Sequence, residues 1–393
     1  MAIRQRIDLI NGAVDNPSRR YISVQRTDES YLRRGESGLS QSPRFSLRTW
    51  PAALQWLALL VAAGAGGGLL GHLDLPVAWF LGPMLVAVVF GVCGATIHMP
   101  RPAFKLGQGC VGILVAQSMT LSVLLNLAQS WHVMLLATSL TLALSLLVSL
   151  GLVWFGGISG STAAWGMAPG AASAMVAMAE EDGADGRVVA TMQYVRVVCV
   201  VLVGALVGHL TGVPGAEPAG LSSLPAQTGL ADLAPSLALI PCGVLAGARL
   251  PAGALLLPLL AGAALQVAGV LRLGLPDWLP PLAYGAIGCY IGLRFDLATL
   301  SHVWRRLPAM IVGAVVLIVL CALSAWLIAL LLGKDFLSVY LATTPGGLDA
   351  MAIIAVDTRS DAGLVLAMQT LRLFGVILTG AFFARQIMRL ARR

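Results

Sequence analysis

Residues 343–354 read TTPGGLDAMAII, and residues 167–178 read MAPGAASAMVAM. Each puts a Pro-Gly break inside an apolar run, where lipid could not satisfy the backbone groups that the break frees. Setting Pro169 on Pro345 defines an offset of 176 residues. At that offset Gly170 meets Gly346, Ala174 meets Ala350, Met175 meets Met351 and Ala179 meets Ala355. Asp185 then meets Asp361, Val189 meets Val365, Met192 meets Met368, Gln193 meets Gln369 and Arg196 meets Arg372, all without a gap. Pro100 pairs likewise with Pro276, Gly109 with Gly285 and Gly112 with Gly288; Pro76 and Pro83 pair with Pro251 and Pro258 at offset 175. The chain therefore reads as a tandem duplication, 50–211 and 231–388, joined by a Pro/Gly/Ser-rich linker at 212–230.

The composition says what surrounds these halves. Of 393 residues 58% are hydrophobic and only 11% charged, where globular domains carry roughly 25% charged residues. The mean hydropathy is +0.85, and apolar runs near 20 residues recur from Trp50 onward, the length that spans a ~30 Å hydrocarbon core. Short alternating segments, the mark of a membrane β-barrel, are missing. The six cysteines stand singly in apolar segments and read as packing residues. Residues 1–48 differ: nine arginines against five acids, polar, without periodicity and without the apolar core of a signal peptide. They read as a disordered basic tail that helps fix topology, and no nucleic-acid partner is expected because aromatic interleaving and a binding fold are missing.

Each half offers six apolar elements, near 50–71, 76–97, 104–118, 130–155, 161–179 and 187–211, then 231–248, 253–272, 281–294, 307–332, 336–356 and 363–388. The tail and the C-terminal Arg385, Arg389, Arg392 and Arg393 predict cytoplasmic termini, while the linker holds no Lys or Arg and is expected outside. An odd number of crossings must separate them. Making each Pro-Gly element broken or re-entrant gives five per half and puts Arg101, Lys105, Arg249, Arg294, Arg305 and Arg306 inside, though Arg272 and Lys334 fall outside. The expected fold is an all-α polytopic membrane protein of two inverted repeats, with about ten transmembrane helices and two Pro-Gly-broken segments.

The stretches PVAWFLGPML and GQGCVGILV, with the paired PGAASAMVAMAEEDGADGRVVATMQYVR and PGGLDAMAIIAVDTRSDAGLVLAMQTLR, resemble the AbrB family of bacterial membrane proteins over about 55–390. The resemblance implies an inner-membrane location and this duplicated domain. Members carry the labels regulator of gene expression or ammonia monooxygenase, neither with a residue-level mechanism. The first copy departs from the fuller motif, with Ala171 and Ser173 where the second has Gly347 and Asp349.

Intramembrane ionisable groups mark function by default. Arg196 and Arg372, about 14 Å into their helices, fall near the midplane, with Gln193 and Gln369 one turn earlier on the same face. The arginines serve either an anion site or a structural tie to acids or to freed carbonyls. The helices restarting after Pro169-Gly170 and Pro345-Gly346-Gly347 aim N–H groups and a positive dipole end at the breaks, the sequence pointer to a transporter's central site. Asp349 either caps its helix or carries a coupling proton or cation. The candidate substrate-binding set is thus Pro169, Gly170, Gln193, Arg196, Pro345, Gly346, Gly347, Asp349, Gln369 and Arg372. Gln108 and Gln117 either line the cavity or bond between helices. Glu180, Glu181, Asp182, Asp185, Asp357 and Asp361 read as solvated connections, with a cation entry site as the sharper alternative. The histidines are dispersed, with no HxxxH or Cys/His cluster, so no metal or cofactor is expected and a monooxygenase is disfavoured. The leading expectation is a secondary transporter of a small anionic solute working by alternating access, in the lipid bilayer and compatible with a homo-oligomer. A membrane-embedded regulator or receptor is the alternative.

Overall fold

The structure, a computed structural model, describes residues 47–210, 230–250 and 252–390. The basic tail up to residue 46, nearly all of the linker and Arg392 and Arg393 lie outside the described residues. Within them every regular element is helical. Those before the linker are α1 (Ala52–His72), α2 (Ala78–Val92), α3 (Arg101–Ser118), α4 (Leu121–Gln129), α5 (Trp131–Gly156), α6 (Gly160–Met167), α7 (Ala172–Glu181) and α8 (Gly186–Leu210). After it come α9 (Leu230–Ala246), α10 (Gly253–Val267), α11 (Leu279–Gly292), α12 (Leu297–Val303), α13 (Leu307–Leu332), α14 (Phe336–Thr343), α15 (Leu348–Asp357) and α16 (Ala362–Leu390).

Among the described residues four helices are long and apolar enough to cross a membrane, α1, α5, α8 and α13 to Leu331, or five if the bent pair α3 and α4 forms one span. Ala78–Val92, Leu233–Arg249, Gly253–Val267 and Ala362–Ile377 are apolar but shorter. Large apolar side chains stand bare on the long helices, among them Leu57, Leu60 and Val61 of α1, Trp154 and Phe155 of α5, and Leu323, Trp326 and Leu330 of α13. A soluble monomer rarely exposes so much apolar surface, whereas lipid costs it nothing. The chain is a helical membrane protein.

Local chemistry sets several ends. The α5 and α13 helices stop at left-handed glycines, Gly157 (φ 63°) and Gly333 (φ 59°). Asp335 caps α14 through the N–H groups of Leu337 (3.1 Å) and Ser338 (3.0 Å). Asp361 accepts from Leu364 N–H (3.0 Å), opening α16 as Asp185 opens α8 by accepting from Val188 N–H (3.2 Å).

Packing mixes the two halves. The most extensive interhelical contacts join α2 to α11 and α3 to α10, with α1 on α2 and α9 on α10. These crossings are close because glycine is on one side. A Cβ on Gly112 would stand 2.4 Å from Leu255 O, and one on Gly288 2.5 Å from Phe80 O. A second group holds α5 to α8 with α13 to α16, knit by α5 against α13, α8 against α13 and α16 against α5. A buried cluster of Leu59, Ala63, Ala87, Ile97, Cys289 and Leu293 belongs to the first group, and one including Val148, Leu152, Met192, Leu317 and Cys321 to the second. Between the groups runs a seam, and the breaks face it.

Candidate functional site

Both Pro-Gly stretches break a helix: α6 ends at Met167 and α7 begins at Ala172; α14 ends at Thr343 and α15 begins at Leu348. Gly347 sits at φ 87° and caps α15, whereas its counterpart Ala171 caps α7 at φ −70° in extended backbone. The second copy needs a glycine there; the first does not. Met175 and Met351 fold over the neighbouring glycines, where a Cβ on Gly170 or Gly346 would lie 2.7 Å or 2.4 Å from the methionine Cε.

The freed carbonyls are answered by side chains, identically in both copies. Gln193 Nε2 donates to Trp165 O (2.8 Å) and Ala168 O (3.0 Å); Gln369 Nε2 donates to Leu341 O (2.8 Å) and Thr344 O (3.0 Å). Arg196 Nη1 donates to Met167 O (3.1 Å) and Ala168 O (3.0 Å); Arg372 Nη1 donates to Thr343 O (3.5 Å) and Thr344 O (3.2 Å). Each arginine's Nη2 then donates to its own glutamine, Arg196 to Gln193 Oε1 (2.6 Å) and Arg372 to Gln369 Oε1. The positions of every pair differ by 176. Ser145 and Thr141 of α5 add hydroxyl bonds to Met167 O (2.5 Å) and Thr343 O (3.3 Å).

Both guanidiniums are buried, at 2% and 5% exposure. Neither has a carboxylate within ion-pair distance among the described residues. Their charge is offset by carbonyl dipoles at the C-terminal ends of α6 and α14, the negative end of a helix. Of the ties open to the arginines, the one formed is to freed carbonyls. One difference separates them. Arg372 Nε crosses to the other break and donates to Pro169 O (3.1 Å), while Arg196 Nε is buried without a partner among the described residues.

A cavity of about 290 Å³ opens between the breaks, along the seam. Pro169, Gly170, Gln193, Arg196, Gly346, Gly347, Asp349, Gln369 and Arg372 all line it. Pro345 is buried in its break and does not. Asp349 is in the first turn of α15 but caps nothing; its Oδ1 accepts Gln108 Nε2 at 2.8 Å, across the seam from α3. Gln108 is therefore a lining residue, whereas Gln117 Nε2 donates to Leu273 O (3.3 Å) as an interhelical tie.

The lining also includes Lys105, Phe104 and Tyr290, with Gly247, Ala248, Leu250, Ala252 and Gly253, none of which the sequence marked as site residues. Phe104 stacks on Tyr290 with centroids 3.9 Å apart, and Arg294 lies over the same tyrosine ring at 4.6 Å. The mouth is near Ala248 and Leu250, both exposed, beside exposed Arg249. Lys105, three residues before Gln108, is on the same face of α3, a spacing visible in the sequence once Gln108 is placed in the wall.

The acidic connections divide. Glu180, Glu181 and Asp182 are exposed, as expected. Asp357 corrects that expectation: it is 5% exposed and accepts the backbone N–H of Val77, a residue 280 positions away. Asp185 meets His302 at 3.1 Å. Burial raises its pKa, but the His302 hydrogen bond and the N–H groups of Val188 and Arg187 outweigh that and hold the carboxyl below its ordinary value.

The family model described as Transition state regulatory protein AbrB matches residues 79–388. The chain belongs to the AbrB family. It is 41% identical over 347 residues to an Escherichia coli (strain K12) protein named Putative regulator AbrB, covering 85% of this chain and 97% of that one. It is 28% identical over 348 residues to Uncharacterized protein YhjN of Bacillus subtilis (strain 168), covering 82% and 91%. No solved structure matches.

Proposed function

We propose that this AbrB-family chain is an inner-membrane secondary transporter of a small anionic solute, working by alternating access. Its two inverted repeats, 50–211 and 231–388, would supply ten crossings and two broken segments, with both termini in the cytoplasm. One observation carries the reading: two helix breaks with the same hydrogen bonds, pair for pair, line a single cavity on the seam between two helix groups. Among the described residues three cationic side chains, Lys105, Arg196 and Arg372, line it against one carboxylate, Asp349. The N-terminal ends of α7 and α15 are in its wall as well, adding two positive dipole ends. Together these favour an anion, with Asp349 available to a coupling proton or cation. The mouth is beside Arg249, on the side that the positive-inside rule makes cytoplasmic.

A regulator or receptor is the second reading, and the printed name of the Escherichia coli relative favours it. The same cavity would then sense its ligand without moving it. The architecture shared by both readings is tested by reporter fusions. A reporter within 214–228 should be extracytoplasmic, and reporters before residue 48 or after Arg389 cytoplasmic. Cytoplasmic access to the linker would remove the inverted repeat and alternating access with it.

A further inference from the structure

The two halves match in sequence and in the hydrogen bonds of their breaks, yet they differ where each closes against the other helix group. In the second half the seam is shut. Asp357, the last residue of α15, accepts the N–H of Val77, the left-handed residue (φ 57°) that opens α2. Beside it a Cβ on Gly208 would lie 3.2 Å from Pro76 Cγ and 3.3 Å from Thr358 Cγ2. In the first turn of α16, a Cβ on Gly363 would lie 2.6 Å from Met119 Cε and 2.9 Å from Val123 Cγ1.

The corresponding positions of the first half are apart. Asp357 corresponds to Glu181, which is exposed and whose carboxylate has no ion-pair partner among the described residues. Val77 corresponds to Ala252, also left-handed (φ 55°), also opening its helix, and lining the cavity. Gly363, Met119 and Val123 correspond to Arg187, Phe295 and Thr299, and all three line a crevice of about 290 Å³ between α7–α8 and α11–α12. One seam contact is closed and its counterpart is open.

Left-handed backbone at a non-glycine residue is strained, and strain kept at matching places in both halves points to a use. At each place the strained residue offers a first-turn N–H with no intrahelical partner, at a positive helix end that suits a carboxylate. Both halves supply that carboxylate at the end of the restarted helix. We propose that Asp357 and Glu181 are alternating latches: the Asp357–Val77 bond holds the outer seam shut while the cavity opens inward. In the opposite state Glu181 takes the Ala252 N–H, and Asp357 releases Val77. This deepens the transporter reading, on which it rests, by naming what sets the balance between its two states.

The test reads the two states without any solute, in the full chain purified in detergent, so a failure to find transport does not touch it. Val123→Cys reports opening of the outer seam through its maleimide labelling rate, measured above that of the parent chain. Asp357→Asn keeps an acceptor oxygen but loses the charge, and should raise Val123→Cys labelling about five- to tenfold. Glu181→Gln should lower it, and the double variant should return it towards the parent rate. Thr299→Cys labelling should move the opposite way in each case. Melting curves show whether each variant is folded. Folded single variants whose labelling stays within about twofold of the parent would overturn the latches and leave Asp357 a plain helix cap. Solute flux, measured separately, would then stand or fall independently.

Discussion

The unpaired Nε of Arg196 makes the two arginines unequal, and lysine substitution turns that into a measurement. Lysine keeps the charge and loses the planar fork. At either position it forfeits the Nη1 bonds to the two carbonyls of its own break and the Nη2 bond to its glutamine. At Arg372 it forfeits one bond more, from Nε to Pro169 O at 3.1 Å, and leaves a buried carbonyl in the opposite break without that donor. A hydrogen bond involving a charged group is worth about 1.5–3 kcal/mol. Arg372→Lys should therefore cost more stability than Arg196→Lys by about that amount. Melting of the two purified variants in one detergent, against the parent, should separate them by a few degrees. Equal melting temperatures, or Arg196→Lys being the less stable, would refute the bond across the breaks as an energetic link between the halves.

Other outcomes follow from the same geometry. Gly347→Ala should destabilise by about 1–2 kcal/mol because φ 87° forces the left-handed side of the map. Ala171→Gly at the extended counterpart should cost under about 1 kcal/mol, and melting curves check both. The Asp185–His302 contact should show in the acid limb of stability. The folded Asp185 pKa is depressed, so its contribution is present above the unfolded value of about 3.9 and lost as pH falls through the lower folded value. Since Asp185 and His302 are both well exposed, the loss is below about 1 kcal/mol, and Asp185→Asn should flatten that limb while changing little else.

Much of the central cavity was legible because the chain states it twice. The Pro-Gly breaks and the Gln-x-x-Arg spacing recur at one offset, and i, i+3 geometry on a helix already puts each glutamine beside its arginine. The sequence does not decide what the arginines touch, since acids and freed carbonyls both fit its spacing; the folded breaks show carbonyls taking the bonds. Contacts over long separations were out of reach. Gln108 and Asp349 are 241 residues apart, and nothing local marks them as partners. Asp357 reads like the exposed Glu180, Glu181 and Asp182 of the other half, because its partner is the N–H of Val77, in a different helix group. The short α4 and α12, which occupy matching places in the two halves, fell between the apolar runs used to define elements. Their few turns are too short to carry a periodic signal.

Transport of an anion through the cavity between the two breaks, as proposed above, is tested most directly by flux. Small carboxylates and oxyanions can be screened for stabilisation of the purified protein, and the best of them tested for uptake into proteoliposomes with parent, Arg196→Gln and Arg372→Gln chains. The parent should show saturable flux that falls sharply in both folded variants. Stabilisation by the anion with no flux in the parent would contradict transport and favour a receptor, and undiminished flux in the folded arginine variants would remove the anion from this cavity.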